Sequence, residues 1–339
     1  MREVLDKETG FRLSYKLKRP VQNMLNIEKQ KHWLWVLLRT VLIIGISYVI
    51  LYPLLLKLSI GFKSKEDIFN PNIVWLPHHL TLSNLKYAYT MMNYPVTLMN
   101  TIFLSTSTML LQTIASALAG YTFARLTFRG SGFLFILVIL TILIPPQTLM
   151  VPLYLHFKNF DILGIYHLFT GKDGVNLINT YWPLLITSAT ANGLKSGLYI
   201  YIFRQFFKGM PKEIEEAAFI DGCGVFTTFF RVMLPNAIPS IVTVMLFAFV
   251  WQWNDSFMTA TFMNQSHVMS MEITMLGFNA NQVLVAALSG GDPNFRVDPY
   301  YISMIVDTGI LLAIAPLIIM YLFVQRFFVE SVERTGVVG

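Results

Sequence analysis

Met210-Pro211-Lys212-Glu213-Ile214-Glu215-Glu216-Ala217-Ala218-Phe219-Ile220-Asp221-Gly222 is a short charged stretch between two long apolar ones. Proline suits the first helical position, where its missing N–H costs nothing, so the helix is expected to open at Pro211. Glu213, Glu215 and Glu216 follow at the end that the helix dipole makes positive. Gly222 is expected to end or bend the helix. A second amphipathic stretch holds Val225, Phe226, Phe229, Phe230, Val232, Met233 and Leu234, and is closed by Pro235 and Pro239. On the first helix Ile214, Ala217 and Ala218 share a face at i, i+3, i+4 spacing. Two alanines keep that face low, so another surface can approach closely. A helix–glycine–helix with an acidic start is expected to be a docking element. The competing expectation is an interfacial helix resting on its own bundle.

Working outward, the flanks are apolar enough to cross a bilayer, whose core takes about 20 residues of helix. Six such stretches are expected, at about 34–56, 98–118, 133–155, 181–203, 241–262 and 302–323. Helix is the reading because lipid leaves no partner for unpaired backbone groups, and barrel strands alternate over about ten residues. The fold class expected is an all-α integral membrane protein of six spans, with the acidic helix in the loop between spans four and five. Pro145, Pro146 and Pro152 in the third span, and Pro316 in the sixth, are expected to kink their helices. Asn70-Pro71-Asn72 and Leu76-Pro77-His78-His79 within 57–97, and the segment 289–294, read as turns.

The 339 residues are 55% hydrophobic and only 13% charged. Soluble domains carry about 25% charged residues, so a soluble enzyme, a disordered chain and a nucleic-acid binder are all disfavoured. The single cysteine, Cys223, excludes an internal disulfide framework and a CxxC zinc or redox site. His78-His79 has no further ligand type nearby. The segments on one side of the expected spans (1–33, 119–132, 204–240 and from 324) hold 16 of the 25 basic residues, including Lys16, Lys18, Arg19, Lys29 and Lys31. The other side holds 7. That bias places both termini in the cytoplasm. The organisation expected is a basic segment over 1–33, a membrane domain over 34–323 with the charged loop at about 205–239, and a cytoplasmic tail over 324–339.

Glu216-Ala217-Ala218, three residues, Gly222, nine residues, then Val232-Met233-Leu234-Pro235 resembles the EAA loop. That loop marks the membrane subunits of bacterial and archaeal ATP-binding-cassette importers that use a substrate-binding protein. Asn100-Thr101, Tyr121-Thr122-Phe123-Ala124-Arg125, Ile144-Pro145-Pro146-Gln147-Thr148, Trp253-Asn254-Asp255 and the ending Gln325-Arg326-Phe327-Phe328-Val329 are similar to family stretches. The likeness is to the carbohydrate branch, to permeases like the second membrane subunit of the maltose transporter. Departures are Glu330-Ser331 where the family shows a glycine, a tail without the family's lysine, and a longer segment at 282–300.

The resemblance implies a sugar-importer permease in a bacterial or archaeal cell membrane, paired with a second homologous permease and two ATPase subunits. An extracytoplasmic binding protein would deliver the sugar. Glu215, Glu216, Ala217, Ala218, Asp221, Gly222, Leu234 and Pro235 would form the coupling surface for the ATPase. ATP and magnesium would sit on that partner, since this chain has no GxxxxGK[ST] loop and Gly171-Lys172-Asp173 lacks its spacing. No cofactor and no nucleic-acid partner is implied for the chain itself. Candidates for the substrate path are Lys195, because an intramembrane charge should face protein or water, and Trp253, Asn254 and Asp255, which could stack on and hydrogen-bond a sugar. An importer of another polar solute is the nearest alternative. An ion-coupled secondary transporter would need midplane carboxylates and a repeated half, neither of which is evident.

Overall fold

A computed structural model describes the backbone of residues 2–336 except 71, 163, 172, 291 and 293, and side chains from 31 to 325 except at those five positions and at 68 and 288. The basic cluster from Lys16 to Lys29, Lys172, the family-like ending from Arg326 and the tail departures lie outside the described side chains. Among the described residues the chain is helical, with two isolated β-bridges and no strand. The main helices are α1 (Arg2–Phe62), α2 (Ser83–Met91), α3 (Tyr94–Arg125), α4 (Ser131–Leu143), α5 (Met150–Lys158) and α6 (Trp182–Ala189). They continue with α7 (Ser196–Gly209), α8 (Lys212–Ile220), α9 (Ile238–Asn254), α10 (Phe257–Phe262), α11 (Met269–Leu288) and α12 (Pro299–Gly336).

Two units are distinguished. The first comprises residues 1–59 and 74–76. It holds most of α1, which is largely apolar from Trp33 onward but for Arg39 and Lys57, and Tyr52 meets Trp75 edge to face at 5.3 Å. The second comprises residues 60–73 and 77–339 and holds the packed core.

Three helices are long and apolar enough to cross a membrane: Lys31–Phe62, Tyr94–Arg125 and Pro299–Gln325. They correspond to the first, second and sixth expected spans. The third is bent by 102° between Ser131–Leu143 and Pro146–Lys158. Pro145 and Pro146 cannot donate backwards there, and the Pro145 carbonyl instead accepts from Thr148 N–H and Oγ1 at 3.1 and 2.8 Å. The helix into the fifth span turns by 80° at Ala237, just before Pro239. Counting each bent pair as one span gives up to five.

A continuous fourth helix over 181–203 is not found. α6 and α7 are separate and each is too short to cross. α6 ends with Ala191 at φ 55°, its N–H on Ser188 O and Asn192 N–H on Thr187 O. That is a Schellman end with alanine where glycine usually stands.

Two further expectations change. The segment 263–301, read as loop and turn, contains the 20-residue α11. Its Met269, Leu276, Ala280 and Leu284 are buried in a core shared with Met304 and Ile305 of α12. α2 lies in the segment 57–97, beyond the turns expected at 70–72 and 76–79. α12, in turn, runs unbroken through Pro316. The proline removes the donor for the Leu312 carbonyl, and the Tyr94 hydroxyl donates to that oxygen at 3.0 Å.

α3 is the axis of the second unit. Gly120 lets α7 approach so closely that an added Cβ would lie 2.5 Å from Phe203 Cβ. Ala117, Tyr121, Tyr199, Phe203, Phe207, Phe229, Met233 and Val244 form one buried cluster at this end. The charged loop is seated on that cluster.

Candidate functional site

Pro211 is the residue before the first turn of α8, one position earlier than expected. Glu213 and Glu215 occupy the first turn as acidic residues should. At the other end Gly222 has φ 82°, its N–H on Phe219 O and Cys223 N–H on Ala218 O, both at 3.0 Å. This is a Schellman cap with glycine in the left-handed position that L-residues avoid.

The α8 faces divide differently from the expectation. Ala218 and Glu215 are buried and Ile214 is half-buried, while Glu216, Ala217, Asp221 and Gly222 are exposed. Glu215 points inward. The Tyr121 hydroxyl donates to its Oε1 at 2.5 Å, and Arg125 Nε lies 3.6 Å from Oε2. Arg125 also donates through an Nη to the Met210 carbonyl at 2.6 Å, at the entry to α8. A buried carboxylate needs such partners, and here one hydrogen bond from Tyr121 and the nearby charge of Arg125 come from the last turns of α3. Glu215 is therefore an anchor, a different task from the surface contact expected of it.

Beyond Gly222 the chain forms a short helix, Val225–Thr228, and a π-helical turn, Phe229–Met233. Phe229 and Met233 are buried, Leu234 is half-buried against the aromatic cluster, and Pro235 is exposed. Tyr121 meets Phe229 at 5.0 Å and Phe207 at 5.6 Å between ring centroids. One tyrosine thus holds α8, the π-turn and α7 together. On the open side Phe219, Ile220, Phe226 and Phe230 are exposed, Ile220 by 85% and Phe226 by 76%. Together with Glu216, Ala217 and Asp221 they make a mixed apolar and acidic surface.

The four path candidates fare unevenly. Trp253 is buried, and its Nε1 donates to Ala313 O at 3.3 Å, one residue past the carbonyl orphaned by Pro316. The Asp255 carboxylate caps α10, accepting from Thr259 N–H at 2.9 Å and Thr259 Oγ1 at 3.1 Å. Asn254 is exposed but turns its amide back onto Val250 O at 2.8 Å. These three do not converge on a ligand. Lys195 stands at the break before α7 with its Nζ 4.9 Å from the ring centre of Trp251, a residue the sequence did not single out. Elsewhere a cleft of about 370 Å³ is lined by Lys65, Phe69, Arg296, Asp298 and Tyr301, and gathers none of the sequence-predicted residues.

The comparisons bear on the surface around α8. Permease AraQ of the arabinooligosaccharide transport system of Halalkalibacterium halodurans is 26% identical over 298 residues, covering 87% of this chain and 93% of that protein. The melibiose/raffinose/stachyose import permease MelC of Bacillus subtilis is 26% identical, covering 85% of this chain and 91% of that protein. The fold is shared with a bacterial ABC transporter that imports the acidic polysaccharide alginate, at a TM-score of 0.68 and 20% identity over 87% of this chain and 96% of that one. Residues 112–334, from the middle of α3 through α8 to the end of α12, match the family model described as the binding-protein-dependent transport system inner membrane component. With about two-thirds of its length matched, α8 and its seat included, this multi-pass membrane chain belongs to that family.

Proposed function

We propose that the chain is the membrane-spanning permease subunit of an ATP-driven importer for a sugar or oligosaccharide, and that it forms half of the translocation path. The observation that carries this reading is the α8 surface. It is anchored from within by Glu215 and presents Glu216, Ala217, Ile220, Asp221, Gly222 and Phe226 outward. An apolar patch with acidic groups at a tightly capped bend is a surface made to be covered. ATPase subunits are the cover proposed here, since a family member takes its energy from a separate chain. Leu234 packs against the aromatic cluster behind that surface, and Pro235, exposed, follows it.

The reading includes six spans, with α4–α5 and α6–α7 each crossing once as broken helices. Both termini and α8 lie in the cytoplasm, as the basic bias requires. The divisions at 1–33, 34–323 and 324–339 follow. A second homologous permease completes the path, and an extracytoplasmic binding protein delivers the sugar. The relatives' saccharide cargoes support a saccharide here.

The test is Glu216→Lys in the assembled complex, reconstituted with its binding protein. The expected result is normal insertion and assembly with loss of binding-protein-stimulated ATP hydrolysis. Stimulation at the wild-type level would remove α8 as the coupling element.

A further inference from the structure

The break between α6 and α7 is built, and it displays a cation. Ala191 and Lys195 both hold left-handed backbone angles, φ 55° and 62°, which non-glycine residues keep only when their surroundings impose them. The α6 cap holds Ala191, and α3 holds the residues flanking Lys195: Gln112 Nε2 donates to Leu194 O at 2.6 Å and to Ser196 Oγ at 2.8 Å. Gly193 is fitted between, since an added Cβ would lie 2.9 Å from both Gln112 Nε2 and Ser188 Oγ. Such a frame fixes where the Lys195 side chain starts.

That side chain makes no ion pair among the described residues. Its Nζ lies over Trp251, whose indole is 46% exposed. Trp251 belongs to an exposed stripe of α9 with Phe247, Val250 and Asn254 at i, i+3, i+4 and i+7 spacing. Depth matters as well. Arg204 is nine residues along α7, its guanidinium 3.9 Å from the ring centre of Phe135. Nine residues of helix rise about 14 Å, about half of a bilayer core. If the six-span reading puts Arg204 at the cytoplasmic boundary, Lys195 lies near the midplane, where an unpaired cation is costly and marks a path.

Resting on the importer reading above, we infer that Lys195 and Trp251 form a site in the path for a saccharide bearing a negative charge, a carboxylate or sulfonate. The indole offers a flat apolar face to the C–H side of a sugar ring. The ammonium offers a charge-assisted hydrogen bond to the anionic group, and at this depth few waters compete for it.

The test uses the purified permease pair with its ATPase subunits, trapped with ATP and vanadate and free of binding protein. The probes are cellobiouronic acid and cellobiose, alike but for one carboxylate. The wild type is expected to bind the uronic acid at least about tenfold more tightly, which is the discrimination a charge-assisted bond provides. Lys195→Gln is expected to erase the preference and Lys195→Arg to keep it. Trp251→Leu should weaken both probes while leaving their ratio. Equal binding by the wild type, no binding of either probe, or a preference that survives Lys195→Gln would overturn the inference. The wild-type comparison decides alone where a variant fails to assemble. Binding-protein-stimulated ATP hydrolysis, measured on the same wild-type preparation, separates the two readings. Its presence without charge preference defeats only this inference, and its absence defeats the importer reading beneath it.

Discussion

The Tyr121 hydroxyl donates a 2.5 Å hydrogen bond to the Glu215 carboxylate across 94 residues of sequence, and so ties α8 to the end of α3. The bond is buried, and Arg125 flanks it. Any displacement of α8 by a partner must therefore move α3 or break this tie.

Tyr121→Phe keeps the ring contacts with Phe207 and Phe229 but removes the donor. A buried carboxylate that loses one of its donors costs about 1–3 kcal/mol, enough to raise the detached population of α8 about fivefold or more. Cys223 reports this directly, being the only cysteine in the chain, half-buried and one residue past the α8 cap. Its maleimide labelling should accelerate severalfold in Tyr121→Phe, with insertion unchanged. An unaltered rate would mean that the tie does not hold α8 in place.

Two glycines should respond differently to alanine. At Gly222 nothing lies within 4 Å of an added Cβ, so the cost is the left-handed backbone alone, about 1–2 kcal/mol. Gly222→Ala should assemble and lose part of its ATPase stimulation. At Gly120 the added carbon would press on Phe203 Cβ at 2.5 Å and on the Arg204 amide at 3.0 Å. Gly120→Ala should force α3 and α7 apart and lower the yield of folded protein, as overpacking by about 1–3 kcal/mol does. Detergent melting temperatures and assembled yields distinguish the two. A larger loss of yield at Gly222 would reverse the assignment.

How much of this was legible depended on whether a feature is local. α1 from Lys31, α3, and α12 as far as Gln325 hold long apolar runs, and length and composition declare them. Pro145-Pro146 announces its own bend. The break before α7 is less visible, because it needs alanine in a left-handed position that nothing about alanine signals. α11 is hidden because its apolar face, Met269, Leu276, Ala280 and Leu284, is interleaved with Gly277, Asn279 and Asn281. The surface proposed for coupling was legible as a motif around Glu216 and Gly222. The inward turn of Glu215 was not, since a nine-residue helix can seat on more than one face and Tyr121 selects this one. Trp253 and Asp255 looked like path residues by type and position. Asp255 instead caps the backbone N–H groups freed at the break before α10, as lipid-embedded breaks require, and Trp253 is buried with its Nε1 on Ala313 O.

Tyr94 and Pro316 should be energetically coupled. Pro316 leaves Leu312 O without its helical donor, and the Tyr94 hydroxyl fills that place at 3.0 Å. Tyr94→Phe alone orphans the carbonyl and should cost about 1–3 kcal/mol. Pro316→Ala restores the N–H, so Tyr94→Phe on that background should cost much less. A double-mutant cycle on thermal or denaturant stability reads the coupling. Independent, additive effects would show that the tyrosine is not the proline's compensation. Trp253→Phe belongs to the same region and should lower stability while leaving sugar affinity unchanged.

Asp67 predicts where the 63–81 segment responds to pH. Its carboxylate accepts the His79 backbone N–H at 2.8 Å and lies 3.1 Å from His79 Nδ1. The backbone bond is the main cause that holds its pKa below the usual value, with the His79 ring contributing and burial opposing. A depressed carboxylate stabilises the fold fully above its unfolded value, about 3.9, and that contribution is lost as pH falls through the lower folded value. Hydrogen exchange of residues 63–81 should therefore be insensitive to this group from pH 7 to 5, after correction for intrinsic rates, and lose protection only in stronger acid. Asp67→Asn should show reduced protection at neutral pH and no acid step. A wild-type loss of protection between pH 7 and 5 that Asp67→Asn abolishes would contradict the depressed value, because a carboxylate titrating there must be raised.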